Sequence, residues 1–283
     1  MLNKISDSIY YLSNQDDRER PVLGLVCGEE ASLIIDCGNS PQHAKEFLAE
    51  ISKLDVPPVK YAVITHAHWD HFMGMNEFDA MAVVNTETDG LLQKWQSLSY
   101  GDSSLQTYVN SGFMNAKCME VLQEDMPNRE TFKLKPSDII FEKTLVIDLG
   151  NKKCVLEKIR STHTDDSTIV YIPDDKVIFL GDAAYGTTTN TLFHIKQPLL
   201  LPMIQDIQKY DAEWSVLGHE SICDREEMEL YWKELIAASA AAESASVEAG
   251  EENFKVQNNR EPNGNELFFI KAFANDHVIR HQQ

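Results

Sequence analysis

The 283-residue chain reads as an α/β protein. Three observations predict this class. Short apolar runs rich in Val and Ile recur along the chain. Segments with helical spacing alternate with them. The densest clusters of His and Asp stand directly behind the apolar runs.

Residues 9–12 (Ile-Tyr-Tyr-Leu) are a strand candidate, and residues 22–26 and 31–35 form a hairpin around Gly28, Glu29 and Glu30. The second arm ends in Asp36, Cys37 and Gly38, where a strand gives way to a turn. Residues 41–54 carry Ala44, Phe47, Leu48, Ile51 and Leu54 at helical spacing, and Pro57 and Pro58 stop that helix. Residues 60–64 are a buried strand that leads into Thr65-His66-Ala67-His68-Trp69-Asp70-His71. A short helix over 74–77 and a strand over 82–84 follow.

Residues 87–130 scatter Leu91, Leu92, Trp95, Leu98 and Phe113 through a polar background. They are expected to form two or more helices, either a cover over the site or an ordinary helical layer. Strands return over 144–147, 155–159, 168–172 and 177–180, with a turn at Pro173-Asp174-Asp175. A helix over 202–209, a strand over 214–217 and an Ala-rich helix over 224–248 come next, the last stopped by Gly250. Residues 258–265 read as a loop and 266–273 as a final apolar strand or helix. The expected organisation is one domain over 1–283, with 87–130 as a helical insertion and 224–283 as a C-terminal extension of the same unit.

Hydrophobic residues make up 43% and charged residues 25%, which argues for a packed core and against disorder. The formal net charge of −20 repels phosphate backbones and anionic lipid, so neither nucleic acid nor membrane is an expected partner. Five cysteines at wide spacing, with no CxxC, do not suggest a disulfide framework. With no apolar run long enough to span a bilayer and no apolar leader after Met1, the expectation is a cytoplasmic protein. Its expected partner is a small-molecule substrate; the sequence sets no oligomeric state.

The segment from His66 to His71 places four ligand-type side chains among six residues, immediately after an apolar strand. Two histidines at alternate positions of an extended stretch face the same side and can hold one ion. Asp70 and His71, past the turn, can hold a second. Imidazole and carboxylate suit zinc first, with iron and manganese as alternatives. His163, Asp182 and His219 each follow a further strand. Asp182 has two carboxylate oxygens and can bridge both ions.

This order of motifs resembles the metallo-β-lactamase superfamily over roughly residues 9–220. The resemblance implies a four-layer αβ/βα sandwich of two mixed sheets flanked by helices, with the site at one edge. It implies His66, His68 and His163 as ligands of a first metal, Asp70, His71 and His219 of a second, Asp182 as the bridge, and Asp36 as a support that binds no metal. It implies a hydrolase in which a metal-bridging hydroxide attacks an ester, thioester, lactone, amide or phosphoester. Asp70 has a rival role as proton carrier to the leaving group.

Two departures bear on the substrate. Thr164-Asp165-Asp166-Ser167 is similar to the zinc β-lactamases of the first subclass, so β-lactam hydrolysis is one alternative. Those enzymes carry Cys where this chain has Asp182, and in this the chain resembles the glyoxalase II and lactonase branches. A diiron redox protein and a metal-binding module without turnover are the alternatives of another class. Tyr185, His194 and Lys196, in the loop between Asp182 and His219, are candidates for substrate contact.

Overall fold

The computed structural model describes residues 1–189, 191–244 and 246–281, and the statements that follow concern these residues. The apolar runs pair into two sheets. The first follows chain order from edge to edge: β1 (Asn3–Lys4), β2 (Ile9–Leu12), β3 (Leu23–Cys27), β4 (Ser32–Ile35), β5 (Val59–Val63), β6 (Met81–Asn85) and β7 (Ile139–Phe141). β1 to β4 are antiparallel, and β4 to β7 are parallel. The second sheet starts as an antiparallel meander of β8 (Thr144–Asp148), β9 (Lys153–Lys158), β10 (Thr168–Ile172) and β11 (Val177–Gly181). A separate ribbon, β12 (Thr187–Thr189) with β13 (Leu192–His194), interrupts it. β14 (Trp214–Leu217) then joins parallel to β11, and β15 (Cys223–Asp224) closes the edge.

Side chains alternate across each strand, and that period decides the layers. Leu33 and Ile35 of β4 face the second sheet and share a core with Leu156, Val170 and Phe179, whereas Ile34 faces the opposite way, toward Phe47. Phe47 belongs to α1 (Pro41–Ile51), which covers the first sheet together with α2 (Trp69–Phe72), α3 (Thr86–Gln96), α4 (Asp102–Asn110) and α5 (Ala116–Asp125). The outer face of the second sheet, through Ile169, Ile178 and Leu180, is covered by α6 (Gln197–Gln208), α7 (Arg225–Ala241), α8 (Val247–Asn258) and α9 (Gly264–Arg280). The result is the four-layer αβ/βα sandwich. The two sheets interlock closely: a Cβ on Gly24 would lie 2.5 Å from the Phe179 ring.

Several elements differ from their sequence expectation. α1 stops at Ile51, short of Leu54. Residues 69–72, expected as a turn, make one turn of helix. The helix expected over 202–209 begins at Gln197 and carries Pro202 in its interior, because Pro198 already supplies a good first turn. Gly250 stops no helix. α7 ends at Ala241, Ser246 caps α8 with its side chain, and Gly250 lies inside α8, where a Cβ would meet Ile270 at 2.7 Å. Ala245, within the helix expected over 224–248, lies outside the described residues. The expected loop over 258–265 shrinks, and the final apolar segment is a helix of 17 residues. No helix is long and apolar enough to cross a membrane.

Candidate metal centre

Parallel neighbours bring strand C-termini to one edge of a sheet. β4 and β5 in the first sheet, and β11 and β14 in the second, do this on the same side of the sandwich. Asp36 follows β4. His66 and His68 follow β5, and Asp70 and His71 sit in α2 just beyond. Asp182 follows β11 and His219 follows β14, while His163 lies in the connection from β9 to β10. All seven candidate ligands expected from the sequence meet there, in two groups. His66, His68, His163 and Asp182 form one, and Asp70, His71, Asp182 and His219 the other.

Asp182 belongs to both groups. Its Oδ2 lies 3.9 Å from His66 Nε2, 3.6 Å from His163 Nε2, 3.5 Å from His71 Nε2 and 3.5 Å from His219 Nε2. Asp70 Oδ2 lies 3.2 Å from His71 Nε2 and 3.1 Å from His219 Nε2. His68 Nδ1 and His163 Nε2 are 2.9 Å apart. Segment 65–68 bends rather than running extended as expected, yet it still brings both histidines into the cluster.

Three of the rings are held by the nitrogen that points away from the cluster. His71 Nδ1 is 2.8 Å from Asp36 Oδ2, His66 Nδ1 is 3.1 Å from Thr65 Oγ1, and His163 Nδ1 bonds the carbonyl of Gly186. That arrangement turns the other nitrogen inward. His66 Nε2, His71 Nε2 and Asp182 Oδ1 are buried with no hydrogen-bond partner, which is costly unless something absent from the polypeptide satisfies them. The donor set and these orphaned atoms fit a pair of divalent cations.

Asp36 lies within hydrogen-bond reach of both Thr65 and His71. It has a positive φ of 60°, which Asp tolerates better than most residues. Its carboxylate accepts bonds from the Thr65 backbone N–H at 2.8 Å and the Thr65 hydroxyl at 2.9 Å, as well as facing His71. Thr65 also packs where a side chain on Gly181 (φ +51°) would have to go.

The two halves of the cluster differ electrostatically. Burial pushes the His66 imidazole well below its usual range and His163 down to about 4, so both are neutral and ready to donate. Burial acts the same way on His71 and His219, but nearby carboxylates outweigh it. Asp70, Asp182 and Asp36 hold His71 well above its usual range, and Asp182 and Asp70 raise His219 to about 10. Burial opposes ionisation of Asp70 and Asp182, and the His71 charge overcomes it, holding both far below the usual carboxylate range.

Asp166 is a further carboxylate beside the cluster, one to which the sequence motifs assign no role. It is buried, and it accepts from the Ala67 backbone N–H at 2.8 Å and from Thr88 Oγ1 at 3.0 Å, tying the metal loop to α3. Its place in Thr164-Asp165-Asp166-Ser167 was the available signal. A cavity of about 720 Å³ opens over the cluster, lined by Glu19, Trp69, Trp95, Phe113 and Phe193 among others. The three loop residues differ in placement. Lys196 lines a neighbouring cleft beside His68 and His163. Tyr185 accepts from the His219 backbone N–H at 3.3 Å. His194 is buried against Asp276 at 3.0 Å and takes no part in either cleft.

Known proteins agree with this architecture. The family model described as "Metallo-beta-lactamase superfamily" matches residues 21–219. The protein named acyl-coenzyme A thioesterase MBLAC2 from Homo sapiens is 25% identical over 193 residues, covering 64% of this chain and 65% of the relative. Its Bos taurus counterpart matches to the same extent, so the chain spans about 65% of the length of these relatives. Among solved structures, a metallo-beta-lactamase from Pontibacter korlensis aligns with a TM-score of 0.56 at 20% identity, covering 82% of this chain and 97% of that one. The sec-alkylsulfatase Pisa1 from Pseudomonas sp. aligns at 0.61 and 14% identity, covering 84% and 41%. At such identities the structural matches establish the fold. With the family match spanning the site and most of both sheets, the chain belongs to the metallo-beta-lactamase superfamily.

Proposed function

We propose that this protein is a metal-dependent hydrolase of acyl thioesters. The observation that carries the proposal is the pair of four-residue groups sharing Asp182, with three buried ligand atoms left without partners inside it. His66, His68 and His163 would hold one cation, Asp70, His71 and His219 the other, and Asp182 both. Zinc suits this imidazole and carboxylate set best, with iron and manganese next. When bound, such cations act as Lewis acids that polarise a carbonyl and bring the pKa of water down to about 7.

The chain's own residues do the rest. Asp36, Thr65 and the Gly186 carbonyl orient the rings. Asp166 holds the loop that carries His66 and His68. Asp70 has a second candidate role, carrying a proton to the leaving group. Trp69, Trp95 and Phe113 line the cavity and offer an apolar wall for an acyl chain, and Phe113 in that wall supports reading the 87–130 insertion as a cover. The thioester choice rests on this wall and on the thioesterase names of the relatives. The free thiols, four of the five buried, are in keeping with a reducing cytoplasm.

Asp182→Ala tests the site. Metal content by elemental analysis and hydrolysis of a chromogenic thioester should fall together, activity by more than about tenfold. Unchanged metal stoichiometry would remove Asp182 from its shared position. A panel of lactone, phosphodiester and cephalosporin substrates, run beside the thioester, tests the substrate class.

A further inference from the structure

The ligand cluster opens on two clefts, and His68, His163 and Thr187 stand in the wall common to both. The aromatic one contains Glu19, whose carboxyl is raised above its ordinary range by burial first and by the charge of Asp70 next, with Lys117 and His219 opposing. Glu19 has a left-handed backbone (φ 48°, ψ 44°) that few non-glycine residues adopt. The chain is held there: the buried Asn39 amide donates to the Arg18 carbonyl at 2.8 Å and to the Glu19 carbonyl at 3.3 Å. A left-handed backbone kept in place by a buried side chain fixes where Glu19 stands in the cleft wall.

The second cleft, of about 630 Å³, has the opposite character. Its cations are Lys94 and Lys196. Its carboxylates are largely engaged elsewhere. Glu87 is paired with Lys158, and Asp166 faces inward to Ala67 and Thr88. Asp165 shares Lys196 at 3.1 Å, and the Lys94 ammonium has no ion-pair partner among the described residues. On a chain of net charge −20, an ammonium without an ion-pair partner at Lys94, next to a second at Lys196 that is shared with one exposed carboxylate, gives this cleft a local site for an anion.

Resting on the thioesterase reading, we propose that the two clefts sort a long substrate by charge. An uncharged acyl arm lies in the aromatic cleft, where Glu19 excludes arms bearing a carboxylate. An anionic thiol-side arm runs through the second cleft to Lys94 and Lys196. Hydrolysis then breaks the C–S bond with its electron pair going to sulfur. The acyl carbon takes the oxygen of water. One water proton ends on the thiol and the other goes to solvent.

The test uses the metal-loaded full chain and two thioesters of one acyl group, octanoyl-coenzyme A and octanoyl-N-acetylcysteamine, the second lacking phosphates. Changing Lys94→Glu together with Lys196→Glu should lower the ratio of kcat/KM for the first over the second by about tenfold. It should also weaken binding of free coenzyme A, read by calorimetry without turnover, by about tenfold. Glu19→Gln should raise the succinyl-to-butyryl-coenzyme A preference by a similar factor. An unchanged ratio with unchanged coenzyme A binding, or an unchanged succinyl preference, overturns charge sorting while the hydrolase stands. Failure of the fully metal-loaded protein to cleave either octanoyl thioester overturns the thioesterase reading, and charge sorting with it.

Discussion

Gly218 shows how little space surrounds the candidate ligands. A Cβ there would lie 2.0 Å from Asp182 Oδ1 and 3.3 Å from His71 Cε1. Both belong to buried candidate-ligand side chains with little room to move, so neither can give way cheaply. Gly218→Ala is therefore expected to lower metal content by more than half, by elemental analysis, while circular dichroism shows the sheets intact. Protonation offers a second test at this scale. His71 is held well above its usual range and His219 at about 10, so without bound cations both carry protons at pH 7. Ligation needs the neutral imidazole, so zinc binding should release protons, and affinity should fall as pH drops. Calorimetric titration in buffers of different ionisation enthalpy measures that release; heats independent of the buffer would refute it. His66, His68, Asp70 and His71 were legible as candidate ligands because they are locally dense behind an apolar run, whereas His163, Asp182 and His219 stand singly and were named by their joint occurrence and the family resemblance. Glu19 was not legible as a site residue, and for Asp166 the one local signal was its place in Thr164-Asp165-Asp166-Ser167. Nothing local to Arg18-Glu19-Arg20 signals a left-handed backbone, and Asp166 acts on a loop 99 residues away in the chain.

At the scale of elements, one carboxylate gathers several contacts at the far end of the helical insertion. Asp125, in the last turn of α5, accepts from Arg18 at 2.9 Å and from Ser40 Oγ at 2.7 Å, and lies 3.7 Å from Arg20. Arg20 is only 2% exposed, with Glu46 as its other partner at 2.7 Å. Removing one member of a buried charge group leaves the rest undercompensated. Asp125→Ala should cost about 3 kcal/mol in denaturant unfolding; a loss below about 0.5 kcal/mol would show that the latch is replaced by water and Glu46. Element type was readable where periodicity was strong, as in α1 and the β3–β4 hairpin. Boundaries went astray where packing overrode propensity. Gly250 looked like a helix stop because glycine is a poor helix former, yet the close approach of Ile270 favours a residue without a side chain inside α8. Pro202 looked like a helix start, but the six residues that follow it within α6 outweigh one missing hydrogen bond.

For the molecule as a whole, acid stability should depend on a histidine outside the ligand set. His43 in α1 is 1% exposed and its Nδ1 has no partner. Burial, with repulsion from Arg20 next, pushes its pKa down to about 3 from 6.5. Between those values the unfolded chain binds a proton that the folded chain refuses, so stability declines as pH falls from 6.5 toward about 3 and this contribution is fully present above 6.5. His43→Leu should flatten the dependence of unfolding free energy on pH across that window. An unaltered slope would place the acid sensitivity elsewhere.

Local chemistry along the chain was enough to name most of the longer strands and the dense group from His66 to His71, because ligand type and strand periodicity are properties of neighbouring residues; His163, Asp182 and His219 needed the order of motifs along the whole chain. Convergence was a different matter. His66 and Asp182 meet only because parallel strands in two separate sheets end on the same side of one sandwich. The clefts, the clamp on Glu19 and the latch at Asp125 likewise join residues distant in the chain. Such contacts depend on which faces pack together, and spacing in one dimension carries no record of that.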